Sequence, residues 1–407
     1  MTNSSNRNYS NQKPTLLVLA STYPRWKNDH EPNFVHKLCQ ELSEQYDITV
    51  VTSRSPRAEK FEQLDNINVR RFIYAPAGLE TLVYGGGILT NLRRRPWKWI
   101  LVPSFLVGMG LSTLKTIAEI KPQAIHCHWL IPQGLVLWAL SLFKKLPPVL
   151  LTSHGGDLFS LRGKLGSNLK RKALSKASAV TVVSTPMKPI ALDLGASNNS
   201  TYVAPMGFGF RNKGQTTQKE RTPGQILFVG RLVEKKGVEH LIKALPAVLQ
   251  SNPACELVII GDGPEREHLE RQAKELSIAS SVHFLGALPQ DELPKFYQTA
   301  SLFCAPFIEA KNGDVEGLGL VTVEAMSFGC PVLIGNVEAA LDVIPEKYRA
   351  SCLISPKDSV CFSEKIIEAL NTPIDDEQQL ELQNFVYTRF SWSEVKNNYS
   401  EIIKGLK

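Results

Sequence analysis

Two clusters in the second half of the 407-residue chain have the residue types and spacing that handle phosphates and hydroxyl groups. The first is Gly230-Arg231-Leu232-Val233-Glu234-Lys235-Lys236-Gly237, at the end of the apolar run Ile226 to Val229. Arg231 offers a planar fork of donors, Lys236 a point charge five residues on, and a helix starting after Gly237 adds free backbone N–H groups. Together they suit a diphosphate clamp. A solvated basic loop would have the same composition. The second cluster is Glu316-Gly317-Leu318-Gly319-Leu320-Val321-Thr322-Val323-Glu324, two carboxylates separated by seven residues. Its Gly-Leu-Gly turn lets the backbone approach a ligand and opens a helix, so that Glu316 before the helix and Glu324 within it are expected to face a cleft and accept from sugar hydroxyls. The plainer alternative is a helix cap at Glu316 and a solvated Glu324.

The first half carries a different set. His154-Gly155-Gly156-Asp157 follows the apolar run Val149 to Thr152, and a His at a strand's carboxyl end before two glycines is placed for substrate more than for packing. Asp157 is expected to orient that loop or to touch the same ligand. His128-Trp129-Leu130-Ile131-Pro132-Gln133-Gly134 ends another strand and enters a helix, so it is expected to line the same end of the first half. His126-Cys127-His128 raises zinc, but adjacent strand residues point to opposite faces and no second ligand pair follows, so no metal site is expected.

These residues need a scaffold that brings loops together, and the chain supplies one. Short β-branched runs alternate with helix-length segments, the pattern of parallel sheets built from βαβ units. The first series of strands is read at Leu16 to Ala20, Ile48 to Thr52, Val69 to Ile73, Ala124 to Cys127, Val149 to Thr152 and Val180 to Val183. A polar, basic stretch from Arg211 to Gly224 interrupts it, and a second series follows at Ile226 to Val229, Leu257 to Ile260, Val282 to Leu285, Leu302 to Ala305, Pro331 to Ile334 and Cys352 to Ile354. The expected division is a flexible tail over 1–14, a first α/β domain over 15–207, a linker over 208–224, a second α/β domain over 225–385, and a helix over 386–407 packing back on the first domain. Two such open sheets place the carboxyl ends of their strands at a shared crevice.

The tail reads as a mobile segment rather than a signal peptide, and seven scattered cysteines without a Cys-x-x-Cys pair suit reduced thiols, so a cytoplasmic setting is expected. Charge is uneven. Residues 1–207 hold 25 Lys and Arg against 12 Asp and Glu, and the remainder 21 against 27, so the net +7 conceals a basic first half. That excess suits an anionic membrane surface, an anionic substrate or nucleic acid, and only the last leaves Glu316 and Glu324 without a use.

In combination and order, the two motifs of the second half resemble the family-four glycosyltransferases of the GT-B fold, two Rossmann-like domains facing across a cleft. Their donor domain carries Gly-Arg-Leu-x-x-x-Lys-Gly and then Glu-x7-Glu. The resemblance covers nearly the whole chain and includes Val258-Ile-Ile-Gly-Asp262-Gly263-Pro264, Val282-x-Phe-Leu-Gly286 and Glu324-Ala-Met-Ser-Phe-Gly-Cys-Pro331. It implies a retaining enzyme that moves a sugar from a nucleotide-sugar, which is a substrate and not a cofactor. Arg231 and Lys236 would hold the pyrophosphate next to Gly230. Glu316 would touch the transferred sugar, the amides of Gly317, Leu318, Gly319 and Leu320 the sugar or distal phosphate, and Glu324 the ribose. His154, with Asp157, would lie against the donor sugar near the reacting carbon. No general base stands out, which agrees with front-face displacement in which the departing phosphate takes the acceptor proton. The chain contains no Asp-x-Asp pattern for a bridging cation, so a metal-independent reaction is implied.

The chain departs from the family in three places. The first β–α loop reads Ser21-Thr-Tyr-Pro-Arg25-Trp-Lys-Asn-Asp29-His30-Glu31-Pro32 instead of carrying a Gly-Gly pair, leaving Arg25 and His30 as its candidates for the site. Gly335-Asn-Val-Glu338-Ala stands where Gly-Gly-x-x-Glu is common, and Gly207-Phe-Gly209-Phe where Gly-Val-Asp is usual. For the acceptor, Arg93-Arg-Arg-Pro-Trp97-Lys-Trp99 runs into the apolar Ile100 to Leu111, a juxtaposition suited to a membrane interface or equally to a core helix with a basic lead-in. Pro103 and Gly108 are expected to break that run before it could span a bilayer. A lipid-linked or saccharide acceptor at the inner membrane face follows as the expectation. The alternatives are a nucleotide-sugar epimerase of the same fold or a non-catalytic nucleotide-sugar or polysaccharide binder.

Overall fold

The alternating runs build two parallel sheets in a computed structural model of the chain, which describes residues 13–27, 29, 33–209, 220–372 and 374–406. The first sheet holds β1 (Thr15–Leu19), β2 (Asp47–Ser53), β3 (Phe61–Leu64), β4 (Ile67–Phe72), β5 (Ala124–His128), β6 (Val149–Ser153), β7 (Ala179–Val182) and β8 (Thr201–Val203), in the order β3-β4-β2-β1-β5-β6-β7-β8. The second holds β9 (Thr222–Val229), β10 (Glu256–Ile260), β11 (Val282–Gly286), β12 (Ala300–Ala305), β13 (Val332–Gly335) and β14 (Leu353–Ile354), in the order β11-β10-β9-β12-β13-β14. Every described pairing is parallel except β3 on β4.

Both sheets reverse their winding at a central strand. β1 lies between β2 and β5, and β9 between β10 and β12, and the crevice outside the carboxyl end of such a strand is where open sheets bind ligands. Arg231 therefore follows directly from the switch strand of the second sheet. That strand is buried on both faces. Ile226 and Phe228 pack with Leu241, Leu245 and Phe362, while Leu227 and Val229 join the opposite core, as alternation along a strand requires. Each such side chain contributes about 2 kcal/mol by leaving water, which makes the strand a rigid base for the loop after it.

Two strands escaped the sequence reading. Phe61–Leu64 is short and half polar, and it pairs with β4 through Asp65 and Asn66, whose φ angles of 45° and 67° make the two-residue hairpin turn that Asp and Asn tolerate. Thr201–Val203 has only three residues. β9 begins at Thr222, inside the stretch expected as linker. The expected tail residues 1–12 and linker residues 210–219 lie outside the described residues.

The break expected at Pro103 and Gly108 does not occur. Leu101–Ile120 is one continuous helix of 20 residues, because Pro103 sits in the first turn where its missing N–H has no partner to lose. With the preceding turn it is long and apolar enough to cross a membrane by length and composition. Here it lies on the first sheet, with Leu101, Phe105, Met109, Thr113 and Ile117 buried and Val107 and Leu111 outward.

The chain crosses between the domains twice, side by side. Phe208 N–H donates to Phe390 O at 3.1 Å, and the final helix Trp392–Lys404 then packs on the first domain. Tyr399 donates to Ala204 O at 2.9 Å, Ser400 to Gln45 at 2.6 Å, and Lys396 pairs with Glu44 at 2.8 Å.

Candidate active site

The loop Gly230 to Gly237 leaves β9 at Gly230, whose N–H still bonds Ile260 O, and Leu232 N–H bonds Asp262 O, so the neighbouring strand's loop fixes its path. A short turn, Glu234–Lys236, then delivers the chain to the helix Val238–Ser251 through Gly237. That junction has φ 68°, and a Cβ there would stand 1.8 Å from Pro306 O, so only glycine fits. Lys236 is thereby aimed along the seam between the domains. Its Nζ pairs with Glu316 Oε2 at 2.8 Å and sits 4.6 Å from the centre of the Phe307 ring. Lys235 is turned to Asp314 Oδ1 at 3.2 Å and Val315 O at 3.0 Å. The acidic loop thus shares out both lysines.

The structure joins the two motifs of the second half and separates the fates of their carboxylates. Burial alone would raise Glu316, but Lys236 and Lys235 beside it and the Gly317 amide hold it down at about 2, so it is a firm carboxylate. Glu324 is 6% exposed on the helix Leu320–Ser327 and accepts from Gln290 Nε2 at 3.1 Å and Tyr297 Oη at 3.0 Å. With no cation beside it, burial pushes it up to about 7. Of the two carboxylates expected to face a cleft, one is ionised at the seam and the other is deeply seated and held by neutral donors. Between them, Gly317 to Leu320 lead into a helix whose amino end has no side-chain cap, leaving its amides for another acceptor.

The facing wall comes from the first domain. His154 directly follows β6 and reaches the same seam: a Cβ on Gly317 would lie 2.9 Å from His154 O, and one on Gly155 3.0 Å from Gly317 Cα, so the two backbones touch only because both positions 155 and 317 are glycine. The His154 ring is flanked by Phe34 and Trp129, each 4.9 Å away, and its Nε2 bonds Nδ1 of His128 at 2.9 Å. Burial lowers His154 to about 3 and also pushes His128 well below its ordinary value, so both are neutral imidazoles. Asp157 is turned inward. Its oxygens accept from Leu130 N–H at 2.7 Å, Ser153 Oγ at 2.9 Å and His154 N–H at 3.1 Å, which ties the Trp129 loop to the His154 loop. Of the two roles expected for Asp157, the geometry provides the orienting one.

Arg231 crosses the cleft, donating to Thr90 Oγ1 at 3.0 Å, with its guanidinium over Gly86, where a Cβ would be 2.6 Å away. Sequence reasoning missed this partner loop. Its signal was Gly85-Gly86-Gly87 immediately before the helix Ile88–Arg94, a backbone able to approach phosphate as closely as the Gly-Gly pair absent from the first loop. In that first loop Arg25 is held bidentate by Asp29 and lies over Trp26 and Tyr84, while His30 is outside the described residues. A cavity of about 590 Å³ opens between the domains beside Glu316, lined also by Phe159, Arg162, Ser184, Phe307 and Glu338. His126 and His128 share a face, as alternate strand residues must, but among the described residues no group of three or more His, Cys, Asp and Glu is placed to hold a metal ion.

Comparison with known proteins covers both halves. Residues 32–208 match the family model described as Glycosyltransferase Family 4, and residues 210–385 the one described as Glycosyl transferases group 1. A GDP-mannose-dependent alpha-(1-6)-phosphatidylinositol monomannoside mannosyltransferase of Mycolicibacterium smegmatis is 38% identical over 120 residues, 29% of this chain and 31% of that protein. The aligned segments span 44% and 31% of the lengths of the first two curated relatives. Among solved structures, sucrose-phosphate synthase from Thermosynechococcus elongatus superposes with a TM-score of 0.76 at 20% identity, over 97% of this chain and 99% of that one. The Anabaena protein HepE in complex with UDP and glucose gives 0.70 at 19%, over 97% and 100%. At these identities the solved structures share the fold.

Proposed function

The chain belongs to the family-four glycosyltransferases of the GT-B fold, and on that premise we propose that it transfers a sugar from a nucleoside-diphosphate sugar to a hydroxyl acceptor with retention of anomeric configuration. The observation that carries this reading is the seam itself: Lys236 and Glu316 paired at 2.8 Å, with Arg231 reaching over the cleft to Thr90 and His154 standing against Gly317. Arg231 and Lys236 neutralise the departing diphosphate, which takes the acceptor proton as it leaves. Glu316, ionised and held in place, accepts from hydroxyls of the transferred sugar. Two cations at the leaving group supply the charge stabilisation that a bridging metal gives elsewhere, so the reaction proceeds without one. Glu324 accepts from the ribose once Gln290 or Tyr297 yields an oxygen.

For the acceptor we propose an amphiphilic or saccharide hydroxyl, presented at an anionic membrane surface on the cytoplasmic side, in glycolipid or surface-polysaccharide synthesis. The mannosyltransferase relative bears a phosphatidylinositol monomannoside in its name. In this chain Trp97, Trp99, Ile100, Val107 and Leu111 are exposed along one helix and its lead-in, and Arg93, Arg94 and Arg95 beside them are exposed too. Cations and indoles around an apolar strip match a headgroup boundary.

The test of transfer is release of nucleoside diphosphate that depends on added acceptor, screened over UDP-, GDP- and ADP-sugars. Release without acceptor dependence, or donor isomerisation alone, overturns it. For the surface, flotation with vesicles containing phosphatidylglycerol should recover wild type and lose the R93A/R94A/R95A variant; equal flotation refutes the electrostatic part.

A further inference from the structure

We infer that His128 is a positioning residue that fixes His154 as a hydrogen-bond donor, through Nδ1–H, toward the sugar bound in the cleft. The inference rests on the reading of that cleft as a donor-sugar site, but its evidence is the arrangement of two imidazoles.

The N···N distance between His128 Nδ1 and His154 Nε2 is 2.9 Å, the ring centroids are 5.2 Å apart, and the rings are inclined by only 17°. The difference between the two lengths leaves one ring radius at each end. The bond therefore runs along the line of centroids, in the plane of both rings, and the rings meet edge to edge rather than face to face. One nitrogen must be protonated and the other must present its lone pair. Burial keeps both rings neutral, so each has a single N–H.

Two arrangements remain. If His154 donated from Nε2, the proton of His128 would sit on its own Nε2. That atom is buried, has no hydrogen-bond partner, and belongs to a side chain with 0% exposure. A buried N–H without an acceptor is among the rarest features of folded proteins, rarer than a lone pair without a donor. In the other arrangement His128 donates from Nδ1, its Nε2 keeps only a lone pair, and His154 Nε2 accepts. The proton of His154 then sits on Nδ1, the ring nitrogen that is not sealed inside the domain.

The neighbouring column holds the geometry. His126 packs on the His128 ring with centroids 4.1 Å apart and bonds Thr152 Oγ1 at 2.8 Å, which in turn bonds Thr181 at 2.6 Å. His128 is thus fixed by packing rather than by a partner at Nε2. The His154 ring is fixed with Phe34 and Trp129 on its sides, and its backbone carbonyl lies at the seam with Gly317, so the Nδ1 donor is offered beside that seam. A donor there serves a sugar or phosphate oxygen and leaves His154 unable to take the acceptor's proton at Nδ1. That agrees with proton transfer to the departing phosphate.

The experiment uses the full chain labelled with ¹⁵N-histidine and two-bond ¹H–¹⁵N correlation spectra at neutral pH, with the His154 signals assigned by their loss in H154N. No donor or acceptor is needed, so the outcome stands apart from the transferase assay. Wild type should show His154 protonated at Nδ1. H128N places an amide N–H where Nδ1 was and should preserve that form. H128D places an acceptor where the donor was, and should move His154 to Nε2–H. With a sugar donor found, H128D should lower kcat/KM by about tenfold, the value of one hydrogen bond, while nucleoside diphosphate affinity stays unchanged, and H128N should keep most of the wild-type value. His154 protonated at Nε2 in wild type, or unprotonated at Nε2 in a folded H128D, overturns the inference.

Discussion

Replacing Lys236 by Ala tests the ion pair at the seam. Both side chains are largely buried, 13% and 14% exposed, so the partner left behind cannot be rescued by water. Glu316 is held at about 2 against an ordinary carboxyl value of 4.5, and that gap corresponds to roughly 3 kcal/mol of preference for the ionised form. Losing the cation over Phe307 adds about 0.5 to 1 kcal/mol. K236A should therefore lose about 3 to 4 kcal/mol at neutral pH, within the range for stranding one partner of a buried pair. E316Q should cost less, because an amide oxygen still accepts from Lys236. The double variant strands no charge, so it should be no less stable than K236A, with a coupling of about 2 to 3 kcal/mol. The sign with pH follows from a lowered carboxyl: its stabilisation is complete above pH 4.5 and is lost as pH falls through about 2, so the K236A penalty should shrink along that interval. Urea unfolding of the four proteins at pH 7 and again near pH 3 measures all of these values, with m-values compared to confirm a common transition. Additivity of the two single variants within about 0.5 kcal/mol, or a penalty unchanged at pH 3, would refute the pairing as described.

Glu324 should behave in the opposite sense: raised from 4.5 to about 7, it contributes stability present below pH 4.5 and lost as pH rises through 7, up to roughly 3 kcal/mol. Unfolding midpoints from pH 5 to 8 should fall in wild type and stay level in E324Q. D157A removes the acceptor shared by Leu130 N–H, Ser153 and His154 N–H, and should cost about 2 to 4 kcal/mol in thermal and urea unfolding with a loss of turnover. An unchanged midpoint would show that the two loops do not depend on it. G317A sets a methyl 2.9 Å from His154 O and should widen the seam, lowering kcat/KM by more than about tenfold while barely moving stability. R231K keeps the charge but not the fork that spans to Thr90, and its donor KM should rise about tenfold.

Local sequence carried much of this. The β-branched runs marked twelve of the fourteen strands among the described residues, since a strand buried on both faces must be continuously apolar, and the Gly-Arg-Leu-x-x-x-Lys-Gly and Glu-x7-Glu elements were visible because glycines and charges at fixed offsets are rare in a packed core. The tripeptide Gly85-Gly86-Gly87 was equally visible as letters, but nothing local says which cation a glycine loop will meet. Arg231 comes to it from 145 residues away. The apolar helix shows the same limit from the other side. Composition suggested a break at Pro103, and only its place in the first turn removed the break.

The sequence by itself determined the class of fold, the order of its elements and the identity of Arg231, Lys236, Glu316, Glu324 and His154 as candidates, because those follow from residue type and short-range spacing. Only the tertiary structure decided what each of them is. Two glutamates of one motif became a carboxylate held at about 2 and one raised to about 7 because a lysine 80 residues away reaches the first and not the second. Asp157 became a tether and His128 a partner of His154 because the carboxyl ends of β5 and β6 lie side by side in the sheet. Charge state and proton position depend on neighbours within a few ångströms, and in a fold built from parallel strands those neighbours come from distant parts of the chain.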